Sequence, residues 1–116
     1  MGRDLTSNER DLLGWLLDDP RIPDADALQA QIPFTQVVEG MPAMPTYLHL
    51  AVSGAPPATC KDGPLPGDAV AMSPSGEPTG FLILWVKDGY LESVEHAWMT
   101  DEMPQEFPSR EQLSDH

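Results

Sequence analysis

The chain holds too little cysteine to be stabilised by sulfur. Cys60 is the one cysteine in 116 residues, which excludes an intramolecular disulfide and leaves a zinc site without a second thiolate, so the chain fits a reducing compartment. Basic residues are the next scarcity: six Lys and Arg stand against 19 Asp and Glu, a formal net charge of −13. Such a field repels phosphate backbones and anionic lipids and attracts basic partners, which disfavours nucleic acid. Solubility alone is the competing explanation of the charge. No apolar run reaches the roughly 18 residues of a membrane span, and the charged amino terminus carries no signal-peptide apolar region, so the expected setting is the cytoplasm with no membrane partner.

Constellations that carry chemistry are also missing. Nucleophilic catalysis needs Cys60 or a serine beside a histidine and an orienting acid, yet Cys60, His49 and His96 fall on separate elements. Glu92, Glu95 and His96 are close in sequence but do not converge as metal ligands, and Asp101 with Glu102 alone does not make a calcium loop. No glycine-rich phosphate cradle precedes a helix. The expectation is a non-enzyme with no catalytic residues, no metal and no cofactor.

What the chain does have is a strong hairpin signal in residues 79–98. Residues 81–86 are an unbroken apolar run of β-branched, aromatic and leucine side chains, the length of a strand. Asp88-Gly89 follows, and a two-residue type I′ turn needs φ > 0 at both positions, which Asp tolerates and Gly accepts freely. The first arm is apolar on both faces, which predicts a central strand covered on both sides. The second arm, half-charged, is expected nearer an edge. Leu91 and Val94 are three apart, so a regular strand would put them on opposite faces. One extra residue at Glu92-Ser93 would instead place Leu91, Val94, His96 and Trp98 together and leave Glu95 and Ala97 on the other face.

At the start of the chain, Thr6-Ser7-Asn8-Glu9 matches a capping box, and Leu12, Leu13, Leu16 and Leu17 make an apolar helical stripe that Pro20 ends. Gly14 inside that stripe suggests a close backbone contact. Asp24 is positioned to cap a short helix over 25–31, with Leu28 and Ile32 inward. A strand is expected over 34–39, and the prolines make 41–45 a loop. Residues 46–53 alternate, with Tyr47, His49 and Ala51 on one face and Leu48, Leu50 and Val52 on the other. Four prolines and three glycines in 54–67 predict a long loop or mobile flap. A short strand over 69–72 and a turn over 73–78 lead into the hairpin, and Phe107 and Leu113 are expected to pin the tail. The composite is one α+β domain over 1–116: one or two amino-terminal helices packed on a four- to five-stranded antiparallel sheet, with the carboxy-terminal hairpin at its centre.

The carboxy-terminal pattern Gly80-x-Leu82-x-x-x-Val86-x-Asp88-Gly89-x-Leu91-x-x-Val94-Glu95, then Trp98, Asp101-Glu102-x-Pro104 and Pro108-x-x-x-Gln112-Leu113, covers about a third of the chain. It resembles a group of small uncharacterised acidic bacterial proteins, with related patterns among immunity proteins of polymorphic toxin systems. The resemblance implies an amino-terminal helix and a sheet, and it carries over no reaction. From 88 onward, eight acidic residues face one Arg, beside several aromatic and Met side chains. The expected function is a small acidic protein that binds another, basic protein, as an immunity-like inhibitor of a toxin or enzyme. Glu92, Glu95, Asp101, Glu102 and Glu106 would supply electrostatic complementarity and Trp98 an apolar anchor. The alternatives are a small-molecule or metal-binding domain with His49, His96 and Cys60 near a pocket, and a self-assembling module.

Overall fold

The computed structural model describes residues 3–41, 44–65, 69–101, 107–108 and 110–114. Its first helix, α1 (Ser7–Leu17), begins at the capping box. Thr6 Oγ1 accepts the Glu9 N–H at 3.1 Å and Glu9 Oε1 accepts the Thr6 N–H at 2.8 Å, so two otherwise orphaned donors are satisfied. Arg3, on the two-residue strand β1 (Arg3–Asp4), clasps the same carboxylate through two nitrogens, each at 2.9 Å. Those bonds hold the Glu9 carboxyl below the usual carboxylate range. Leu12, Leu13 and Leu17 are buried, as the stripe requires. Gly14 is different from expectation: no atom lies within 4 Å of where its Cβ would be, so it makes no close contact.

The second helix, α2 (Ala25–Gln31), has the expected span with Asp24 at its N-cap position, but the Asp24 side chain makes no cap bond. Asp24 sits in the left-handed region at φ 56°, and its Oδ2 accepts the Thr59 N–H at 2.8 Å, tying the helix start to a distant loop. A 3₁₀ turn, Ile32–Phe34, then delivers the chain to β2 (Thr35–Met41), which pairs with β3 (Met44–Val52). The irregular loop expected over 41–45 is overturned, because Met41 pairs with Met44. Residues 42 and 43 lie outside the described residues. Pro45 is tolerated in β3 because that strand's ladder to its other neighbour spans only Tyr47 to His49.

The hairpin forms as its sequence dictates: β6 (Pro78–Lys87) and β7 (Tyr90–Trp98) are joined by Asp88 at φ 56° and Gly89 at φ 82°. Trp85 pairs with Ser93 while Val86 pairs with Leu91, so Glu92 is the extra residue of a bulge. The bulge puts Leu91, Val94, His96 and Trp98 opposite Val86, Leu84, Leu82 and Gly80 respectively. Glu95 and Ala97 fall opposite Ile83 and Phe81 on the other face.

All pairings are antiparallel, and the sheet runs β1-β2-β3-β7-β6-β5-β8, where β5 is Val70–Met72 and β8 is Leu113–Ser114. The two-residue β4 (Gly63–Pro64) joins the β5 side of β6. The protein is thus α+β with the hairpin central. Among the described residues, five strands have three or more residues, and three two-residue strands extend the sheet. Two-residue ladders have no periodicity to read in sequence.

Two expectations about the hairpin arms are corrected by this topology. The second arm, β7, is interior between β3 and β6, because its charges sit on the bulge and on one face only. The first arm is fully buried on one face only: Leu82, Leu84 and Val86 are buried, whereas on the other face Ile83 and Trp85 are partly buried and Phe81 is 46% exposed. Leu13, Leu17 and Leu28 of the two helices share a core with Leu48, Leu50, Leu84, Val86, Leu91 and Val94, so both helices lie on that one side. Each such fully buried side chain stabilises the fold by roughly 1.5–3 kcal/mol.

Residues 54–65 are no free flap. The Ala58 N–H donates to Gly89 O at 2.7 Å, Asp62 Oδ1 accepts the Asp88 N–H at 2.8 Å, and the Leu65 N–H donates to Leu84 O at 2.9 Å. Buried Gln31 completes the attachment: its Nε2 donates to Gly89 O at 2.8 Å and Pro56 O at 3.1 Å, and its Oε1 accepts the Leu91 N–H at 3.1 Å. Phe107 and Leu113 pack against the core, as expected of the tail.

Candidate functional site: the open face of the sheet

The face of the sheet away from the helices is assembled by register. Ile83, Glu95 and Tyr47 form one row across β6, β7 and β3, and Trp85, Ser93 and His49 form the next. Phe81 with Ala97 forms a third. Residues directly opposite in such ladders are about 5 Å apart at Cβ, so each row is a line of contact. The smaller side chains Ser93 and Ala97 flank Glu95 on β7, and larger apolar or aromatic ones stand on the strands beside it. Tyr47 and His49 meet edge to face with ring centroids 5.1 Å apart.

Glu95 is half-buried, and Glu39 of β2 stands opposite His49 at the end of the next row. Among the described residues Glu95 takes part in no hydrogen bond or ion pair; the two salt bridges there are Arg3–Glu9 and Arg21–Asp19. A carboxylate without a donor among the described residues is open to an ion pair with a cation supplied from outside. Trp85 on the same face also has a buried indole N–H without an acceptor among the described residues.

The acidic set expected from the sequence is divided by the fold. Glu95 lies on the open face, whereas Trp98 lies opposite Gly80 on the helix side, so the two do not form one patch. Glu92 is exposed at the bulge and Asp101 is exposed beyond the end of β7. Glu102 and Glu106 lie outside the described residues. Tyr47 and Ile83, which neighbour Glu95, were not signalled by sequence proximity. The alternation of 46–53 was the one cue that Tyr47 and His49 share a face.

His49, His96 and Cys60 do not share a site either. His49 is on the open face, Cys60 is in the 54–65 segment, and His96 is buried on the helix side opposite Leu82. Among the described residues no group of three His, Cys, Asp or Glu is arranged to hold a metal ion. His96 fits because Gly80 has no side chain; a Cβ there would lie 2.6 Å from His96 Nε2 and 2.6 Å from Ala97 O. Both His96 ring nitrogens are buried without a partner among the described residues, and burial pushes its pKa down. The folded state therefore favours neutral imidazole. As pH falls below about 6.5 the unfolded chain takes up a proton that the folded chain refuses, so stability declines by up to about 1.4 kcal/mol per pH unit until the lowered folded pKa is reached. Thermal unfolding of wild type and His96→Leu between pH 7.5 and 5.5 is expected to show a shallower decline in the variant.

Fold and site together define an α+β protein whose helices, among the described residues, lie on one face of its sheet and leave the other partly exposed. Comparison with protein-family models, curated proteins and solved structures finds no match to this chain. Among the described residues, no helix is long and apolar enough to cross a membrane.

Proposed function

We propose that this chain is a non-catalytic protein that binds a basic protein partner through the open face of its sheet, in the manner of an immunity-like inhibitor covering a basic toxin or enzyme site. The observation that carries this reading is Glu95: a half-buried carboxylate without a partner, set among Tyr47, Ile83, Trp85 and Phe81. Aromatic anchors are enriched at interface centres, and an incoming Arg or Lys would find both an ion pair and an aromatic wall there. The net charge of −13 adds long-range attraction for such a partner and repels a second copy of the chain. Glu92 and Asp101, exposed beyond the bulge and the strand end, belong in this proposal to the steering field rather than to the contact.

A photo-crosslinking residue at Ile83 tests the placement, with Asp11 on α1 as the control position. In lysate of the source cell at low salt, Ile83 is expected to capture a stoichiometric basic protein that Asp11 does not. Capture from Asp11 alone, or from neither position, counts against the open face. Glu95→Lys is further expected to slow association with the captured protein about tenfold or more at low salt, with the difference shrinking as ionic strength rises.

A further inference from the structure

A hollow of about 740 Å³ lies between the connector after α1 and the segment around Cys60, within the range of about 300–1,000 Å³ typical of small-molecule sites. Pro23, Cys60, Pro64 and Leu65 make its apolar walls. Cys60 and Leu65 also pack against the helix-side core, so the hollow is continuous with that interior and is not built on the row of Glu95.

The rim carries charges of both signs, and how firmly each is held decides which sign the hollow presents. The Arg21 guanidinium is bound by the Asp19 carboxylate, with Nε and Nη2 donating at 3.1 and 2.8 Å, so that pair is close to neutral. Asp62 lines the hollow and Asp24 supports its Thr59 wall. Each is fixed through one oxygen: Asp62 Oδ1 accepts the Asp88 N–H and Asp24 Oδ2 accepts the Thr59 N–H, both at 2.8 Å. Among the described residues the second oxygen of neither carboxylate accepts a hydrogen bond. Lys61 is exposed and enters neither salt bridge found among the described residues, and its flexible stem lets the ammonium swing out into water. The Cys60 thiol registers the balance, because after burial the charges that push its pKa up are Asp24 and Asp62. The apolar wall therefore sits in a negative field, which the net charge of −13 reinforces.

We infer that this hollow binds a small amphipathic cation, with its apolar body on Pro23, Cys60, Pro64 and Leu65 and its ammonium at the second oxygen of Asp62, within the field of Asp24. The apolar walls supply most of the affinity, and the two fixed carboxylates select a cationic head group over a neutral or anionic one.

The test titrates 4-phenylbutylamine, 4-phenylbutanol and 4-phenylbutyrate, which share one apolar body, into isotope-labelled protein at neutral pH and follows the backbone amide shifts. The amine is expected to bind about fivefold more tightly than the alcohol and the carboxylate most weakly, with the largest shifts in residues 59–65. Asp62→Asn keeps an acceptor for the Asp88 N–H, so the wall is preserved; it is expected to weaken the amine about threefold and leave the alcohol unchanged. Asp11→Asn removes the same charge from α1, reports the long-range field alone, and should change amine binding little. Equal affinities of amine and alcohol, tighter binding of the carboxylate, shifts centred outside residues 59–65, equal effects of the two Asp→Asn changes, or no binding by the amine overturns the inference.

Discussion

Gly89→Ala is expected to be the most destabilising single-methyl change in the hairpin, lowering stability by about 4 kcal/mol. Two costs combine. At φ 82° an alanine is strained by roughly 1–2 kcal/mol. The new Cβ would also fall 2.8 Å from Pro57 Cβ and almost on top of Ala58 O, so the 54–65 segment must withdraw. Withdrawal breaks the Ala58 N–H bond to Gly89 O and disturbs the Gln31 contacts, adding about 1–3 kcal/mol. For a domain of this size that corresponds to a fall of about 15 °C in Tm. Gly76→Ala separates the two costs. Gly76 has φ 89° but nothing within 4 Å of its Cβ position, so only the backbone strain applies and the loss should stay near 1–2 kcal/mol. Equal losses at the two glycines, measured by denaturant unfolding, would show that the segment does not press on the turn.

Gln31→Leu is expected to cost about 3 kcal/mol although it replaces a polar residue with an apolar one inside the core. Gln31 is fully buried, and its amide serves three backbone groups on two other segments. Leucine leaves the Leu91 N–H and the Pro56 carbonyl without this partner, at about 1–3 kcal/mol per stranded group. Gln31→Glu is the informative companion. It keeps an acceptor for Leu91 but turns a carboxylate toward the Gly89 and Pro56 carbonyl oxygens. Burial and that repulsion raise the pKa of the new acid, so its deficit relative to wild type is largest at neutral pH. Protonation restores an O–H donor, and the deficit should narrow as pH falls from 7.5 to 5.5. His96 titrates in both proteins and cancels in the difference. A deficit that widens on acidification would contradict the hydrogen-bond assignment.

These two residues also mark what the sequence reveals and what it conceals. Local chemistry was legible: the Thr6–Glu9 capping box, the Asp88-Gly89 turn and the bulge at Glu92 each depend on residues within a few positions of one another. Asp24 and Gln31 were not. Asp24 reads as a helix cap but bonds Thr59, 35 positions away, and Gln31 reads as the last polar residue of a short helix but holds Leu91, 60 positions away. The 54–67 composition reads as mobile for the same reason, since its restraints come from the hairpin and from α2. Chain polarity likewise did not disclose that the second face of β6 is open, because Phe81, Ile83 and Trp85 are as apolar as a buried face would be.

The candidate site was legible only by parity. Glu92, Glu95, Trp98 and Asp101 are neighbours in sequence, and strand alternation with one bulge sends Glu95 and Trp98 to opposite faces. The side chains that surround Glu95 come from β3 and β6, and their approach depends on the β3–β7 ladder, which spans only Tyr47 to His49. Nothing in the spacing of the carboxy-terminal acids indicates that ladder.

The central claim is that the open face, with Glu95 at its middle, is where a basic protein binds. Its most direct test is the association rate of the protein captured through Ile83, measured with wild type, Glu95→Lys and Asp11→Lys at low and moderate salt. Both reversals change the net charge equally, so a purely long-range field slows association to the same extent in each. A loss about tenfold greater for Glu95→Lys, accompanied by faster dissociation, is the predicted result. Equal effects of the two reversals, with dissociation unchanged, would contradict it.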